Sequence, residues 1–311
     1  MEDRAADSLD PEVPASPPMS TALGLLVAMR PRQWVKSLLV VVAPVAAGQF
    51  FHGHVAAKTA VAFLAFCAAS SGTYLLNDVR DRDADRLHPG KRARPIAMGA
   101  VSVDAAVATS IALLLIGLGI GFALRWELGV VVAIYIAESV GYSMGAKRLS
   151  VIELGFVASG FVLRAIAGGV ATDLPLSSWF LVVISFGALF VVVGKRLAEF
   201  HELGADRGVH RAVLDTYTEG FLRSALTMCA GVTVTGYCLW AFAVDASGLG
   251  VHHNEVWIQL SVIPVVLAVL YVLLQLDAGR GGAPEDLVLR DRVVQVLGVA
   301  WAVLVVIGIY S

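Results

Sequence analysis

Long apolar stretches dominate the pattern of hydrophobic and polar positions along this chain. Nine stretches are long enough to cross a bilayer core of about 30 Å as helices. They lie at about 34–50, 58–77, 103–124, 128–146, 151–171, 177–194, 222–244, 256–276 and 293–310. Pro44 and Pro264 fall inside two of these stretches and are expected to kink them. The pattern predicts an all-α, polytopic membrane protein with nine transmembrane helices.

Basic residues are concentrated in alternate connections between the predicted spans. All but three of the 23 Lys and Arg residues lie in the N-terminal segment or in the second, fourth, sixth and eighth loops. Lys58 and Arg125 lie on the opposite side, and Arg164 lies within a span. Because basic loops stay on the cytoplasmic side, we expect the N-terminus and the long second and sixth loops, about 78–102 and 195–221, in the cytoplasm. Any chemistry is therefore expected at the cytoplasmic face of a cell (inner) membrane.

The N-terminal residues differ from the rest of the chain, because charged side chains and prolines replace the apolar ones there. Such a segment cannot bury an apolar core, and it lacks the basic-then-apolar order of a signal peptide. We therefore expect residues 1–21 to form a disordered cytoplasmic tail and residues 22–311 to form one transmembrane catalytic domain.

Composition supports the membrane interpretation and limits the function classes. Apolar residues make up 58% of the 311 residues, charged residues make up 15%, and the mean hydropathy is +0.77. Soluble proteins have about 45–50% apolar and about 25% charged residues. The net charge of −2 gives no sign of a nucleic-acid partner. The three cysteines lie in apolar runs, and the seven histidines form no zinc motif.

Acidic residues cluster at the cytoplasmic end of the second predicted span. On a continuous helix, Asp81 and Asp85 would lie about 60° and about 20° from Asp78, so that three carboxylates would project from one stripe. Carboxylates this close repel one another unless a cation compensates them, and Mg²⁺ prefers such hard oxygen ligands together with substrate phosphates. The spacing predicts a Mg²⁺ site. A helix end with internal ion pairs to Arg80 and Arg82 is the alternative.

Basic residues follow this stripe and also close the fourth predicted span. Lys91 and Arg94 lie in the second loop, whereas Tyr142 and Lys147 lie at the cytoplasmic end of the fourth span. Because Arg and Lys bind phosphate oxygens, a basic loop beside a Mg²⁺ site suits a diphosphate. Topology signals, contacts with anionic lipid and interfacial anchoring are the alternative roles.

Three further cations are candidates for anion binding. Lys36 lies near the start of the first span, Arg164 in the middle of the fifth and Lys195 at the end of the sixth. An intramembrane Arg is costly and usually faces a polar cavity or a partner. Arg164 is therefore expected to bind a phosphate or to pair with Glu138. The sixth loop, which includes Tyr217, is expected to be either a lid over the site or a solvated linker.

The chain resembles the UbiA-type intramembrane transferase superfamily across about residues 22–310. The resemblance rests on an NDxxDxxxD motif at Asn77–Asp85 and an RPxxxG motif at Arg94–Gly99. Three further runs are most similar to the branch that transfers 5-phosphoribose to a polyprenyl phosphate: RPRQWVK at 30–36, RAIAGG at 164–169 and GKR at 194–196. The resemblance implies a UbiA-type helical bundle.

That resemblance also implies an enzymatic reaction and a set of site residues. The enzyme would transfer 5-phosphoribose from 5-phosphoribosyl diphosphate (PRPP) to decaprenyl phosphate. The products would be decaprenylphosphoryl-5-phosphoribose, which serves cell-wall arabinan synthesis, and pyrophosphate. The expected cofactor is Mg²⁺, held by the catalytic residues Asp78, Asp81 and Asp85. The expected substrate-binding residues are Lys36, Asn77, Lys91, Arg94, Tyr142, Lys147, Arg164 and Lys195.

Two other functions compete with this interpretation. An aromatic prenyltransferase of quinone biosynthesis would share the fold, but such enzymes hold a prenyl diphosphate between two acidic clusters, whereas this chain has one. An ion-coupled transporter would use Glu138 and Arg164 within the membrane. The expected partners are PRPP, decaprenyl phosphate and membrane lipid, and the sequence leaves a homo-oligomer open.

Overall fold

The computed structural model describes residues 20–88, 90–204, 212–242, 254–279, 287–288 and 290–310. Within these ranges the chain is all-α, and no β-strand is found. Nearly all of the tail expected at residues 1–21 lies outside the described residues, as does the part of the sixth loop from 205 to 211. A disordered tail and a lid formed by that part of the loop therefore stay predictions.

Twelve α-helices and three 3-10 helices make up the described chain. The α-helices are α1 (Thr21–Ala28), α2 (Val42–Ala46), α3 (Gly53–Arg80), α4 (Arg82–Leu87), α5 (Val103–Leu124), α6 (Trp126–Met144), α7 (Ile152–Thr172), α8 (Ser178–Leu203), α9 (Glu219–Phe242), α10 (Glu255–Leu260), α11 (Val262–Asp277) and α12 (Arg292–Tyr310). The 3-10 helices cover Pro31–Val41, Ala146–Arg148 and Ala212–Thr216. Serines begin two of the long helices, because Ser102 and Ser177 accept hydrogen bonds from the first-turn amides of α5 and α8.

Eight helices are long and apolar enough to cross a membrane: α3, α5, α6, α7, α8, α9, the pair α10–α11 and α12. They coincide with eight of the nine predicted spans, and α5 has the predicted bounds. The chain is therefore an integral membrane protein. Large apolar side chains such as Ile111, Leu115 and Phe122 stay exposed on α5, where acyl chains would cover them.

The first predicted span, at 34–50, is not one α-helix. A 3-10 helix over Pro31–Val41 is followed by the short α2 instead. Arg30, with a left-handed backbone (φ 55°), and Pro31 set where this 3-10 helix begins, and the segment packs against α7 through Val40. The kink expected at Pro264 corresponds to a break at Ser261, three residues earlier, between α10 and α11.

Helix α3 lies at the centre of one half of the bundle, where it packs against α5, α6, α7 and the first 3-10 helix. Phe66, Leu128, Val132 and Tyr135 fill the core of that half. The other half is built by α8 packing against α7 and α9, with α11 and α12 beyond. This arrangement brings the C-terminal end of α3 beside the connection between α6 and α7, and the candidate site lies there.

Candidate active site

Two of the three predicted aspartates share one cation. Asp78 and Asp85 are both 3% exposed, and Nη1 of Arg94 lies 3.1 Å from Oδ1 of Asp78 and 2.7 Å from Oδ2 of Asp85. The prediction that one continuous helix carries all three aspartates was wrong, because α3 ends at Arg80 and α4 begins at Arg82. The backbone of Asp81 between them (φ −88°, ψ 3°) is no longer helical. Asp78 and Asp85 are nevertheless brought together.

The loop that carries Arg94 is anchored by burial. Ile96, Ala97 and Val101 are each at most 3% exposed, and Nε of Arg86 on α4 donates a 2.8 Å hydrogen bond to the carbonyl of Ala97. Because the chain directly after Arg94 is fixed in this way, its guanidinium is held at the two aspartates. The RPxxxG motif therefore positions a cation at the acidic motif.

Arg30 is a second cation at Asp78, and sequence reasoning did not assign it to the site. Its Nη2 lies 2.5 Å from Oδ1 of Asp78, and its guanidinium lies over the ring of Tyr74, 4.9 Å from the centroid. The one signal in the sequence was its place before Pro31, in the basic run at 30–36. Asp78 is thus neutralised from two distant parts of the chain.

Asp81 forms its ion pair with Lys147 and not with Arg94. Nζ of Lys147 lies 2.8 Å and 3.0 Å from its two carboxylate oxygens. Beside this pair, the hydroxyl of Ser143 donates a 2.9 Å hydrogen bond to Oδ1 of Asn77. Arg80 donates to the carbonyl of Met144. The end of α6 and the turn after it are therefore docked on the end of α3.

The alternative of an internally paired helix end is not supported. Within the described residues, the ion pairs of the three aspartates involve Arg30, Arg94 and Lys147, and neither Arg80 nor Arg82 joins them. The acidic cluster therefore draws its cations from other elements.

A cavity of about 280 Å³ lies between the helices next to this cluster, and Arg30, which pairs with Asp78, is part of its lining. It contains four of the predicted substrate-binding residues, namely Lys36, Asn77, Tyr142 and Arg164. Its other lining residues are Arg30, Thr73, Tyr74, Tyr135, Ser139, Ser143, Phe156, Val157, Gly160 and Phe161. The other four predicted substrate-binding residues are not in the lining. Arg94 and Lys147 contact the aspartates, Lys91 lies half-buried in the turn before Arg94, and Lys195 lies half-buried near the end of α8.

Arg164 is held at the wall of this cavity, and it is 4% exposed. It donates to the carbonyl of Gly160 at 2.5 Å and to the hydroxyl of Tyr135 at 2.9 Å, while its Nε has no partner. Pairing with Glu138 is not found, because Glu138 accepts a hydrogen bond from Ser159 instead. The guanidinium therefore lies beside the cavity without an ion-pair partner among the described residues.

The donor set at Asp78 and Asp85 fits a divalent cation. Oxygens of both buried carboxylates contact the same nitrogen of Arg94, so a positive charge already lies between two hard oxygen ligands. Within the described residues, no group of three acidic, His or Cys side chains is close enough to hold a metal by itself. Mg²⁺ is typically held by one or two carboxylates plus substrate phosphates, so two aspartates are sufficient once a diphosphate supplies the other oxygens.

Sequence reasoning also missed a buried network next to this site. Glu153 is fully buried, and Nε and Nη2 of Arg196 contact its two oxygens at 2.7 Å and 2.9 Å. The hydroxyl of Tyr217 lies 3.4 Å from Glu153 and accepts a 2.8 Å hydrogen bond from the backbone N–H of Val151. Burial raises the pKa of Tyr217, so the hydroxyl stays protonated at neutral pH. The described end of the sixth loop is thus attached to the fourth loop.

Comparison with known families identifies the bundle. The sequence model of the UbiA prenyltransferase family matches residues 37–290. The chain belongs to the UbiA prenyltransferase family. This match spans both acidic and basic motifs at the ends of α3 and α6, as well as seven of the eight apolar helices, and it ends just before α12.

Characterised relatives resemble nearly the full length of this UbiA-family chain. Decaprenyl-phosphate phosphoribosyltransferase of Mycolicibacterium smegmatis is 44% identical, covering 92% of this chain and 92% of the relative. The enzyme of the same name from Corynebacterium glutamicum is 42% identical, covering 94% and 89%. That from Mycobacterium tuberculosis is 42% identical, covering 93% and 95%.

Solved structures have the same fold. A UbiA homolog from Archaeoglobus fulgidus bound to GPP and Mg²⁺ superimposes with a TM-score of 0.66, at 20% identity, over 92% of this chain and 98% of that chain. The structure of the same homolog bound to DMAPP and Mg²⁺ gives the same TM-score and identity. At this identity the likeness establishes the fold of the bundle.

Proposed function

We propose that this chain is a decaprenyl-phosphate phosphoribosyltransferase. It transfers 5-phosphoribose from PRPP to decaprenyl phosphate and releases pyrophosphate, which makes a lipid-linked precursor for cell-wall arabinan. The observation that carries the proposal is the 42–44% identity to enzymes of this name over nearly the whole chain. The single acidic cluster, surrounded by cations, supports it because two anions must meet in one site.

We assign the diphosphate of PRPP to the mouth of the cavity. Asp78 and Asp85 are the ligands for Mg²⁺, and Asp81 completes the acidic motif. When bound there with the diphosphate, Mg²⁺ supplies positive charge to the leaving group. The use of Mg²⁺ is supported by the A. fulgidus homolog, which binds it, and by the hard oxygen donors of the two buried carboxylates.

The cations of this chain share the charge that develops during the reaction. Breaking the anomeric C–O bond makes the ribose oxocarbenium-like and the leaving diphosphate more negative. Arg30 and Arg94 contact Asp78, and together with Lys91 of the same loop as Arg94 they are proposed to donate to the oxygens of the diphosphate. Asn77, oriented by Ser143, is proposed to hydrogen-bond the ribose or the diphosphate.

We assign the phosphate of the acceptor lipid to the inner cavity. Lys36, Tyr142 and Arg164 line the cavity, and Lys147 contacts Asp81 in the adjacent acidic cluster. Lys195 is proposed to add positive charge at the same end of the bundle. A phosphate monoester is ionised near neutral pH, so the acceptor needs little help from a general base. The main task of these side chains is to hold two anions together against their repulsion.

The membrane arrangement follows from the same proposal. At about 2.0 Å per residue for the 11-residue 3-10 helix and about 1.5 Å for the five-residue α2, the segment Pro31–Ala46 extends about 30 Å. We propose that it crosses the membrane as the first span, which brings the total to nine. With nine spans, the distribution of Lys and Arg orients the N-terminus and the active site toward the cytoplasm.

Neither alternative is favoured by a specific observation. The relatives that are 42–44% identical over nearly the whole chain are named phosphoribosyltransferases. A transporter that uses Glu138 and Arg164 as a pair has no support, because they do not contact each other.

The test is turnover of the purified full-length chain in detergent or nanodiscs. Radiolabelled PRPP and decaprenyl phosphate should give a labelled lipid and pyrophosphate, and EDTA should stop the reaction. Turnover with a prenyl diphosphate and a phenolic acceptor, without turnover of PRPP, would instead establish the aromatic prenyltransferase.

A further inference from the structure

The connection between α6 and α7 contains a strained residue. Val151 has a positive φ (φ 66°, ψ −46°), which a β-branched side chain rarely adopts. Its side chain is 53% exposed, so its own packing does not compensate for this conformation. Another part of the protein must hold the turn in place.

The end of the sixth loop holds this turn. The hydroxyl of Tyr217 accepts the hydrogen bond from the N–H of Val151, and the hydroxyls of Ser150 and Thr216 lie 2.6 Å apart. The 3-10 helix Ala212–Thr216 also packs against the 3-10 helix Ala146–Arg148. The two loops are therefore joined by adjacent contacts.

Tyr217 is itself rigidly placed. It is 3% exposed, and its ring stacks on Phe221 at 5.5 Å with an interplanar angle of 5°. Its hydroxyl also lies beside Glu153, which the Arg196 guanidinium holds with two contacts. A side chain fixed at both its ring and its hydroxyl can transmit the position of the sixth loop to the fourth.

We propose that Tyr217 is a positioning residue for phosphoribosyl transfer: its hydroxyl holds the strained turn at Val151 and thereby sets the reach of Lys147 to Asp81. Lys147 lies in the 3-10 helix four residues before Val151, and its Nζ contacts both oxygens of Asp81. This inference rests on the proposed function. It gives the described end of the sixth loop a role that needs no lid movement.

Tyr217→Phe tests the proposal, because it removes the hydroxyl and keeps the stacked ring. We expect the KM for decaprenyl phosphate, whose phosphate we assign to Lys147, to rise roughly three- to tenfold, the range for one lost hydrogen bond, with a smaller change in kcat. Amide hydrogen exchange of residues 145–152, measured without substrate, should accelerate. The matched control is Tyr237→Phe, which removes another buried hydroxyl, bonded to Ser261 and Trp301, and should change neither quantity.

Two double variants separate positioning from a general loss of stability. In a Lys147→Met background, Tyr217→Phe should raise the KM less than about twofold further, because both changes remove the same contact. In a Val151→Gly background, a positive φ is unstrained. Tyr217→Phe should therefore raise the KM less in that background than in the wild type. Independent, multiplicative losses in both backgrounds would overturn the proposal.

The single variants also give decisive outcomes. If Tyr217→Phe and Tyr237→Phe have the same KM and the same exchange at 145–152 as the wild type, Tyr217 does not position this turn. If the wild type fails to turn over PRPP with decaprenyl phosphate, the proposed function fails, and with it the role of Tyr217 in positioning Lys147 for that reaction. The exchange measurement then still reports whether Tyr217 holds the turn.

Discussion

Arg30 and Asp78 form an ion pair at the mouth of the cavity, although 48 positions separate them in the chain. The pair depends on the left-handed backbone of Arg30, which turns the chain between α1 and the first 3-10 helix. Since Arg94 contacts the same carboxylate oxygen, Asp78 carries two cations. Arg30 is therefore placed where it can move from the carboxylate to an incoming diphosphate.

Arg30→Ala should weaken donor binding. Loss of a charge-assisted contact to the diphosphate should raise the KM for PRPP by about 10- to 100-fold. Steady-state kinetics with varied PRPP would measure this. The matched control is Arg32→Ala, because Arg32 belongs to the same basic run but is exposed. Equal KM values for the two variants would exclude Arg30 from the donor site.

Asp78→Asn should nearly abolish turnover. The variant removes the anionic oxygen that both arginines contact and that we assign to Mg²⁺. The loss of several kcal/mol of charge stabilisation corresponds to a fall in kcat of about 1,000-fold or more. Asp83→Asn is the control, because Asp83 is exposed and its ion pair with Arg86, at 3.6 Å, lies outside the cluster of Asp78 and Asp85. A Mg²⁺ titration after EDTA treatment should restore the wild type and the control, but not Asp78→Asn.

The apolar spans could be predicted from the sequence because the length of a hydrophobic run is a local property. The bounds of α5, at Val103–Leu124, were predicted to the residue. The segment over 34–50 failed as a single helix because its form depends on distant contacts. Val40 lies against Gly168 of α7, and Arg30 takes a backbone conformation that composition does not indicate.

The candidate site was predictable only as far as residues share a motif. The spacing of Asp78 and Asp85 predicted that their carboxylates lie close together, and they do, although α3 ends between them. The Arg30–Asp78 and Glu153–Arg196 pairs could not be foreseen, because both join residues more than 40 positions apart through the packing of different helices. A single sequence does not say which basic residue reaches which acid.

Tyr135→Phe should affect the acceptor lipid and leave the donor unchanged. The variant keeps the ring below the guanidinium of Arg164 but removes the hydroxyl that accepts its 2.9 Å hydrogen bond. The KM for decaprenyl phosphate should rise roughly three- to tenfold, with an unchanged KM for PRPP as the internal control. A rise in the KM for PRPP alone would reverse our assignment of the two anions.

Gly168→Ala should detach the segment Pro31–Ala46 from α7. A Cβ at Gly168 would overlap the carbonyl oxygen of Val40 and lie 3.2 Å from the Pro44 ring. The backbone of Val40 cannot move aside as a flexible side chain would, so the variant should lose about 1–3 kcal/mol of stability. Thermal unfolding in detergent would measure the loss.

The matched control for this variant is Gly155→Ala on the same helix, where an added Cβ would meet nothing within 4 Å. Alanine is the better helix former, so its unfolding temperature should be unchanged or slightly higher. Because the displaced segment carries Lys36, folded Gly168→Ala protein should also show a higher KM for decaprenyl phosphate. If Gly168→Ala and Gly155→Ala unfold at the same temperature, the segment Pro31–Ala46 does not pack on α7. In that case the contact of Lys36 with the ring of Phe161, which places Lys36 in the cavity wall, would not hold either.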